Sequence, residues 1–287
     1  MGTTALHWVR NDNVEIAKLL IDATADVNAK TKGYMPYNIK FNEDGSSTSI
    51  NTQSTPLHLA LLNHNVKTAK LLIEVGAEVN SKDSKGYTPL HYTKTAETAK
   101  LLIENGADVN SKNNEGYTPL HYAKTAEIAK LLIENGADVT AKNKYGSTPL
   151  YYAKTAEIAK LLIENGADVN AKAKGSYDKT TLHYTASVEI AKLLIENGAN
   201  INARTNSGDT PLHIIKNVEV TKFLIENGAN INAKNKEGET PCDIASSVLS
   251  SAKIRSPQGD TATPKEIIKL LQKHGGICNK TPDIKIE

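Results

Sequence analysis

Apolar positions recur in this chain as one block, repeated with small changes. In residues 112–141 (KNNEGYTPLHYAKTAEIAKLLIENGADVTA) two apolar stretches flank a short polar one. The first opens at Thr118-Pro119, where the hydroxyl can cap a free backbone N–H and proline is already set for the first helical position. Leu120 and Ala123 follow three apart, on one helical face. The second stretch places Ile128, Leu131 and Leu132 on one stripe at helical spacing. Thr125 precedes it as a good N-cap, and Glu127 lies in the first turn, where the helix dipole favours negative charge. It stops at Asn135-Gly136, where glycine can take the left-handed C-cap conformation. One block therefore predicts a short helix, a longer helix and almost no linker between them.

Thr-Pro-Leu-His or a close copy begins at Thr4, Thr55, Thr88, Thr118, Thr148, Thr180, Thr210 and Thr240, at spacings of 51, 33, 30, 30, 32, 30 and 30 residues. Asn13, Asn65, Thr95, Thr125, Thr155, Ser187 and Asn217 form one column ahead of the second helix, and each is a good N-cap. So regular a period means an array of stacked units, because one unit alone cannot bury its helices' apolar faces. The polar stretch between units carries a glycine (Gly86, Gly116, Gly146, Gly208, Gly238) and predicts an extended turn or hairpin. Aligning Thr55–Lys70 with Thr88–Lys100 places the three residues that most units lack at the junction of the two helices. The first helix must be short or the turn tight; one fused helix is the alternative, and the N-cap column opposes it.

Three irregularities interrupt the period. Residues 31–54 hold an insertion of about 18 residues relative to the 33-residue spacing, with turn chemistry at Asp44-Gly45 that suits a longer finger or a loop. Residues 173–180 carry two extra residues. In the last unit Ser250–Ala262 separates the helices, and the second one, opening at Thr263-Pro264, carries Lys269, Gln272, Lys273 and His274, as a polar end cap would. The expected organisation is a repeat array over residues 1–276 with a capping unit at 240–276, then a polar tail at 277–287.

Thr-Pro-Leu-His, then Leu-Leu-Ile-Glu-Asn-Gly-Ala-Asp-Val-Asn, then a glycine-containing turn resembles the ankyrin repeat, from Thr4 to about Gly276. The resemblance implies an all-α repeat solenoid: stacked helix-turn-helix units with projecting β-hairpin or turn fingers, curved into a concave surface. It implies a protein-binding module, and it gives the motif histidines the task of tying a helix start to the neighbouring finger. The family's asparagine hydroxylation would fall at finger positions such as Asn110, Asn170 and Asn202. The short, near-identical repeats are most similar to those of ankyrin-rich proteins of intracellular bacteria and some protists, which implies a host-directed role by analogy.

The remaining composition narrows the function. With 34 basic and 32 acidic residues the net charge is +2, which argues against a nucleic-acid binder driven by bulk charge. Cys242 and Cys278 stand alone and read as reduced thiols of an intracellular protein. No apolar run approaches the ~20 residues of a membrane span, and no signal peptide precedes Thr4. A cytoplasmic or host-cytosolic location is expected. Six histidines (His7, His58, His91, His121, His183, His213) form a column, but packed helices sit ~8–10 Å apart and metal–nitrogen bonds are about 2 Å, so the column cannot share ions. No nucleophile–base set or phosphate loop recurs. No enzyme, cofactor or metal is expected.

Tyrosine and lysine carry the functional expectation. Nine of eleven tyrosines fall between residues 87 and 184. Tyr92, Tyr122, Tyr152 and Tyr184 share a column with Trp8 on the first helix, expected as half-buried packing. Tyr87 and Tyr117 precede the Thr-Pro start, while Tyr145 and Tyr177 lie in fingers; these four are expected contacts, since tyrosine is a large, low-entropy anchor. Lys94, Lys124, Lys154 and Lys216 lie on the first helix. Lys82, Lys112, Lys142, Lys172, Arg204 and Lys234 open the fingers, and the glutamates collect on the second helix. The expected partner is an acidic protein bound by a monomer through Tyr87, Tyr117, Tyr145, Tyr177, Tyr92, Tyr122, Tyr152, Lys94, Lys124 and Lys154. A polyanion or nucleic-acid binder using the lysine columns, and a passive assembly scaffold, are the alternatives.

Overall fold

The computed structural model describes residues 4–9, 11–32, 52–255 and 262–280. Most of the 31–54 insertion (residues 33–51) therefore lies outside the described residues. The chain divides into two compact units, residues 1–144 and 145–287. Both are all-α repeat solenoids, and among the described residues there are eleven α-helices and no strand.

The first unit holds α1 (Val14–Asp22), α2 (Pro56–Leu62), α3 (Val66–Glu74), α4 (Ala96–Glu104) and α5 (Ala126–Glu134). The second holds α6 (Ala156–Glu164), α7 (Val188–Glu196), α8 (Pro211–Ile214), α9 (Val218–Glu226), α10 (Pro241–Arg255) and α11 (Ala262–Lys273). The helix pairs are separate, not fused. The missing three residues come out of the first helix. In the 33-residue repeat it is α2, seven residues long; in the shorter repeats it contracts to one 3-10 turn, as at Pro89–Tyr92, Pro119–Tyr122 and Pro149–Tyr152. A single turn suffices because its one core leucine still lands. Leu90, Leu120 and Leu150 are as buried as Leu57. Each pairs with a second-helix leucine (Leu72, Leu102, Leu132, Leu162) that is equally buried.

Second helices start as their N-cap column predicts, with one instructive exception. Thr95, Thr125, Thr155, Ser187 and Asn217 each accept from the N–H three residues on. Asn65 makes no such bond; its amide instead donates to Val9 O (3.0 Å) and accepts from Asp12 N (3.1 Å). The cap of α3 comes from the preceding repeat: Asp12 accepts from Lys67 N (2.9 Å) and Thr68 N (2.7 Å). Asp12→Ala is expected to cost about 1–2 kcal/mol, read as a lower denaturant midpoint at unchanged slope; a midpoint equal to wild type would show that α3 does not depend on this cap. At the other end, Gly136 takes φ +85° and its N–H returns to Ile133 O (3.0 Å), the expected left-handed stop.

The fingers are tight turns. Asp83 N donates to Tyr87 O (3.0 Å) and Gly86 N to Asp83 O (2.9 Å). A Cβ at Gly86 would lie 2.4 Å from Asn114 Oδ1 of the next finger, so only glycine allows the two fingers to stack. One backbone bond then joins successive fingers: Asn114 N to Lys85 O and Lys144 N to Glu115 O in the first unit, Asn206 N to Tyr177 O and Lys236 N to Ser207 O in the second. At the base of the insertion Thr31 and Gln53/Ser54 pair through three backbone-anchored bonds of 2.8–3.0 Å.

Cys242 and Cys278 are not free thiols. They form a disulfide with Cα atoms 5.0 Å apart, which overturns the reading drawn from their isolation in sequence. The bond fastens residues 277–280 to the start of α10, although sequence placed them in a tail. Asp243 accepts from Asn279 N (2.6 Å) and Lys280 N (2.8 Å), and Thr240 Oγ1 donates to Ile277 O (2.6 Å). Lys280 also pairs with Glu239.

Candidate functional site

The motif histidines are structural. Thr88 N donates to His91 Nδ1 (3.1 Å), which leaves the proton on Nε2, and Nε2 donates to Tyr117 O of the next finger (3.0 Å). His7 reaches Ser54 O, His58 reaches Tyr87 O, His183 reaches Asp209 O and His213 reaches Glu239 O in the same way. Burial is the main cause holding these imidazoles neutral, lowering His58, His91 and His183 to about 4 and His7 and His213 in the same direction.

A second column does equal joining work. The side-chain amide of Asn80 donates to Gly106 O (2.8 Å) and accepts from Asp108 N (2.9 Å); Asn110 treats Gly136 and Asp138 alike, and Asn170 treats Gly198 and Asn200 alike. Sequence reading noticed Asn110, Asn170 and Asn202 only as modification positions. The signal was present in the column Asn28, Asn80, Asn110, Asn170, Asn202, Asn232, which Thr140 breaks.

What these ties hold in place is an aromatic surface. In the first unit the two expected tyrosine columns interleave into one cluster. Tyr87 lies 5.6 Å from Tyr92 and 5.7 Å from Tyr122, and Tyr117 lies 5.4 Å from Tyr122, between ring centres. The hydroxyls of Tyr87 and Tyr122 meet at 2.9 Å, and Tyr92 OH donates to the buried Asp83 (2.6 Å). All four rings are half-buried. Burial, then the Tyr87 hydroxyl, pushes the Tyr122 phenol well above its ordinary range. The cluster is thus a platform of mutually packed, half-buried rings, to which both expected columns contribute.

Lysines border it unequally. Lys94 Nζ donates to Leu62 O at the end of α2 (3.1 Å) and meets His64 Nε2 at 2.6 Å. Burial and then the charge of Lys124 lower its proton affinity, so the two ammonium groups sense one another. Lys124 is exposed. The finger cations are partly structural: Lys82 donates to Lys112 O (2.9 Å), Lys172 to Arg204 O (3.1 Å), Arg204 to Lys234 O (2.7 Å). On the second helices Lys100–Glu104 and Lys130–Glu134 (3.7 and 3.8 Å) are exposed i,i+4 pairs of a few tenths of a kcal/mol each.

The second unit repeats the theme with different parts. Tyr151, standing where the histidine should be, packs edge-on against Tyr184 (5.0 Å) and Tyr152 (5.3 Å). Lys179, which sequence reading did not single out, lies over the Tyr184 ring at 4.7 Å and near Tyr177 at 5.9 Å. Tyr177 and Tyr184 are exposed at 66% and 46%, and Tyr145 is also exposed. Lys154 is exposed beside Tyr152 in sequence. A groove of about 540 Å³ opens where the one-turn α8 faces the long α10, lined by Ile214, Ile215, Ala245, Val248 and Ile267 with Lys216 at its rim. Its lining is mainly apolar, with Asp209, His213 and Thr263 also on it.

Among the described residues no group of three or more His, Cys, Asp or Glu side chains could hold a metal ion, and no helix is long and apolar enough to cross a membrane. Repeated helix pairs, stacked fingers and an aromatic platform define a repeat-built binding protein. Models of the ankyrin-repeat family match residues 1–32, 34–113, 92–173 and 182–254. The chain belongs to the ankyrin-repeat family, whose members are protein–protein interaction modules and typically not enzymes.

Proposed function

We propose that this chain binds a partner protein through the face formed by its fingers and first helices, with Tyr87, Tyr92, Tyr117 and Tyr122 as anchors in the first unit and Tyr145, Tyr152, Tyr177 and Tyr184 in the second. The observation that carries this reading is the interleaved tyrosine cluster. Four large side chains are held half-open by mutual contacts, so little side-chain entropy remains to be lost on binding. Lys124 and Lys154 are exposed beside these tyrosines, and Lys94 and Lys124 repel one another, so an acidic segment of the partner is the complement. The second helices, where cations are already matched by glutamates, offer no such bias. Three of the finger cations, Lys82, Lys172 and Arg204, already donate to carbonyls of the next finger, which weighs against a polyanion groove. The host-directed role suggested by the short repeats concerns where the partner resides and leaves the binding chemistry unchanged.

Affinity capture from cell extract, comparing wild type with Tyr87→Ala/Tyr117→Ala, tests the assignment. Recovery of the principal partner is expected to fall about 10- to 100-fold and to fall further as salt rises. Unchanged recovery with a folded double variant would remove these tyrosines from the site and favour the passive-scaffold reading.

A further inference from the structure

The finger with two extra residues ends differently from the others. The position just before each Thr start holds Tyr87 and Tyr117, then Ser147, Lys179, Asp209 and Glu239. Lys179 therefore stands where the first unit places two of its clustered tyrosines, and the next two repeats carry the opposite charge. The extended finger turns through Tyr177 and Asp178, both left-handed (φ +61° and +58°), and Ala173 N closes it on Lys179 O at 2.9 Å. This turn brings the Lys179 ammonium over the ring of Tyr184, 4.7 Å from its centre, and within 5.9 Å of Tyr177. Tyr151 braces Tyr184 edge-on, with ring centres 5.0 Å apart. Lys179 is half-buried, yet among the described residues no carboxylate forms an ion pair with it. The rings hold the charge in place without neutralising it, and Tyr177 and Tyr184 are themselves exposed.

We infer that Lys179 is a specificity-determining residue: it takes the carboxylate of one Asp or Glu side chain of the partner, beside the rings of Tyr177 and Tyr184, and so fixes where the partner's acidic segment lies along the array. This rests on the partner-binding reading above and names one contact within it. An ammonium already held over two rings loses less rotamer freedom on binding than the exposed ammonium groups of Lys124 and Lys154. Its charge is also unmatched within the chain, so the partner supplies the counter-charge. The same position in the next two repeats repels a carboxylate. Glu239 already pairs with Lys280, and Asp209 accepts from the side-chain amide of Asn235 (2.9 Å). Along this column an acidic side chain therefore has one favourable place in the second unit. The site suits a singly charged carboxylate better than a phosphate, which is best met by several donors. Arg204, the guanidinium of the next finger, already donates to Gly208 O (2.8 Å) and Lys234 O (2.7 Å).

Selection of a phage-displayed library of random peptides on the full 287-residue chain tests it, with circular dichroism confirming that each variant is folded. Peptides of about 12 residues, at ~3.3 Å per residue, reach across about four repeats packed ~8–10 Å apart. The wild-type consensus is expected to hold Asp or Glu at one position. Selection on Lys179→Glu is expected to replace that acid by Lys or Arg and keep the rest of the consensus. Fluorescence anisotropy with the wild-type consensus peptide is expected to show about tenfold weaker binding to Lys179→Met, with affinity retained by Lys179→Arg. The same peptide with its acid changed to Gln is expected to bind wild type and Lys179→Met alike, which a lysine that only supports the rings would not produce. A consensus without an acid, an acid kept under Lys179→Glu, or an equal loss for the acidic and Gln peptides would each overturn this inference alone. A library that enriches nothing on the wild-type chain would overturn both the inference and the reading it rests on.

Discussion

Lowering the pH from 7 to 4 is expected to unfold the array, with the helical circular dichroism signal lost between about pH 6 and about pH 4. The cause is the histidine column. In the native protein His58, His91 and His183 are neutral, with pKa values lowered to about 4 by burial; in the unfolded chain they titrate at the ordinary 6.5. Below 6.5 the unfolded state takes up protons first. The stability contributed by each neutral histidine is thus fully present above 6.5 and is lost as the pH falls toward 4. That loss is about 3 kcal/mol per buried histidine by pH 4, and His7 and His213 act in the same direction. Three such losses compare with the whole ~5–15 kcal/mol that stabilises a typical domain. Protonation also gives Nδ1 a hydrogen, so it can no longer accept from the threonine N–H that begins each first helix. A helical signal that holds down to pH 4 and is lost only in the carboxylate range would contradict this assignment.

Reduction of the Cys242–Cys278 bond is expected to destabilise the second unit by about 3–4 kcal/mol, because the bridge closes a loop of 36 residues and so restricts the unfolded chain. The effect should be local. Repeats exchange stability only with their neighbours, so unfolding of an array need not be a single transition. Calorimetry with and without a thiol reductant should show the transition of the second unit moving down by several degrees while that of the first stays in place. Cys278→Ser, at the half-buried partner, should reproduce the shift without reductant. Identical traces under both conditions would show that Asp243 and its hydrogen bonds hold residues 277–280 without help from the disulfide.

How far the sequence reaches is clear from individual columns. Thr-Pro-Leu-His, the N-cap series and the Asn-Gly stops each rest on short-range chemistry, and their positions in the structure follow from it. So does the shortened first helix, because three residues can leave only at the helix junction when both leucines must stay buried. The cap that Asp12 gives α3 was not legible. It depends on Asn11 and Asp12 both taking positive φ, which folds one repeat's loop onto the next repeat's helix. The disulfide was hidden because a sequence separation of 36 says nothing of proximity until Asp243 draws Asn279 and Lys280 back onto α10. The tyrosine columns interleave for a geometric reason. Residues 87 and 92 look like separate series when counted along the chain, yet a single 3-10 turn returns the second ring onto the first, and Tyr122 of the next repeat packs against Tyr87. The bond that Lys94 makes was not legible either; its acceptor, Leu62 O, lies at the end of α2, which outlasts the single turns of the short repeats that follow it.

The central claim is that recognition occurs on the tyrosine-bearing face of fingers and first helices. Hydrogen–deuterium exchange on this chain, with and without the first partner recovered by capture, tests it most directly. The account predicts slowed exchange on binding at residues 84–94 and 114–124, with α4 and α5 unchanged. Protection confined to α4 and α5, or spread evenly over all repeats, would contradict it.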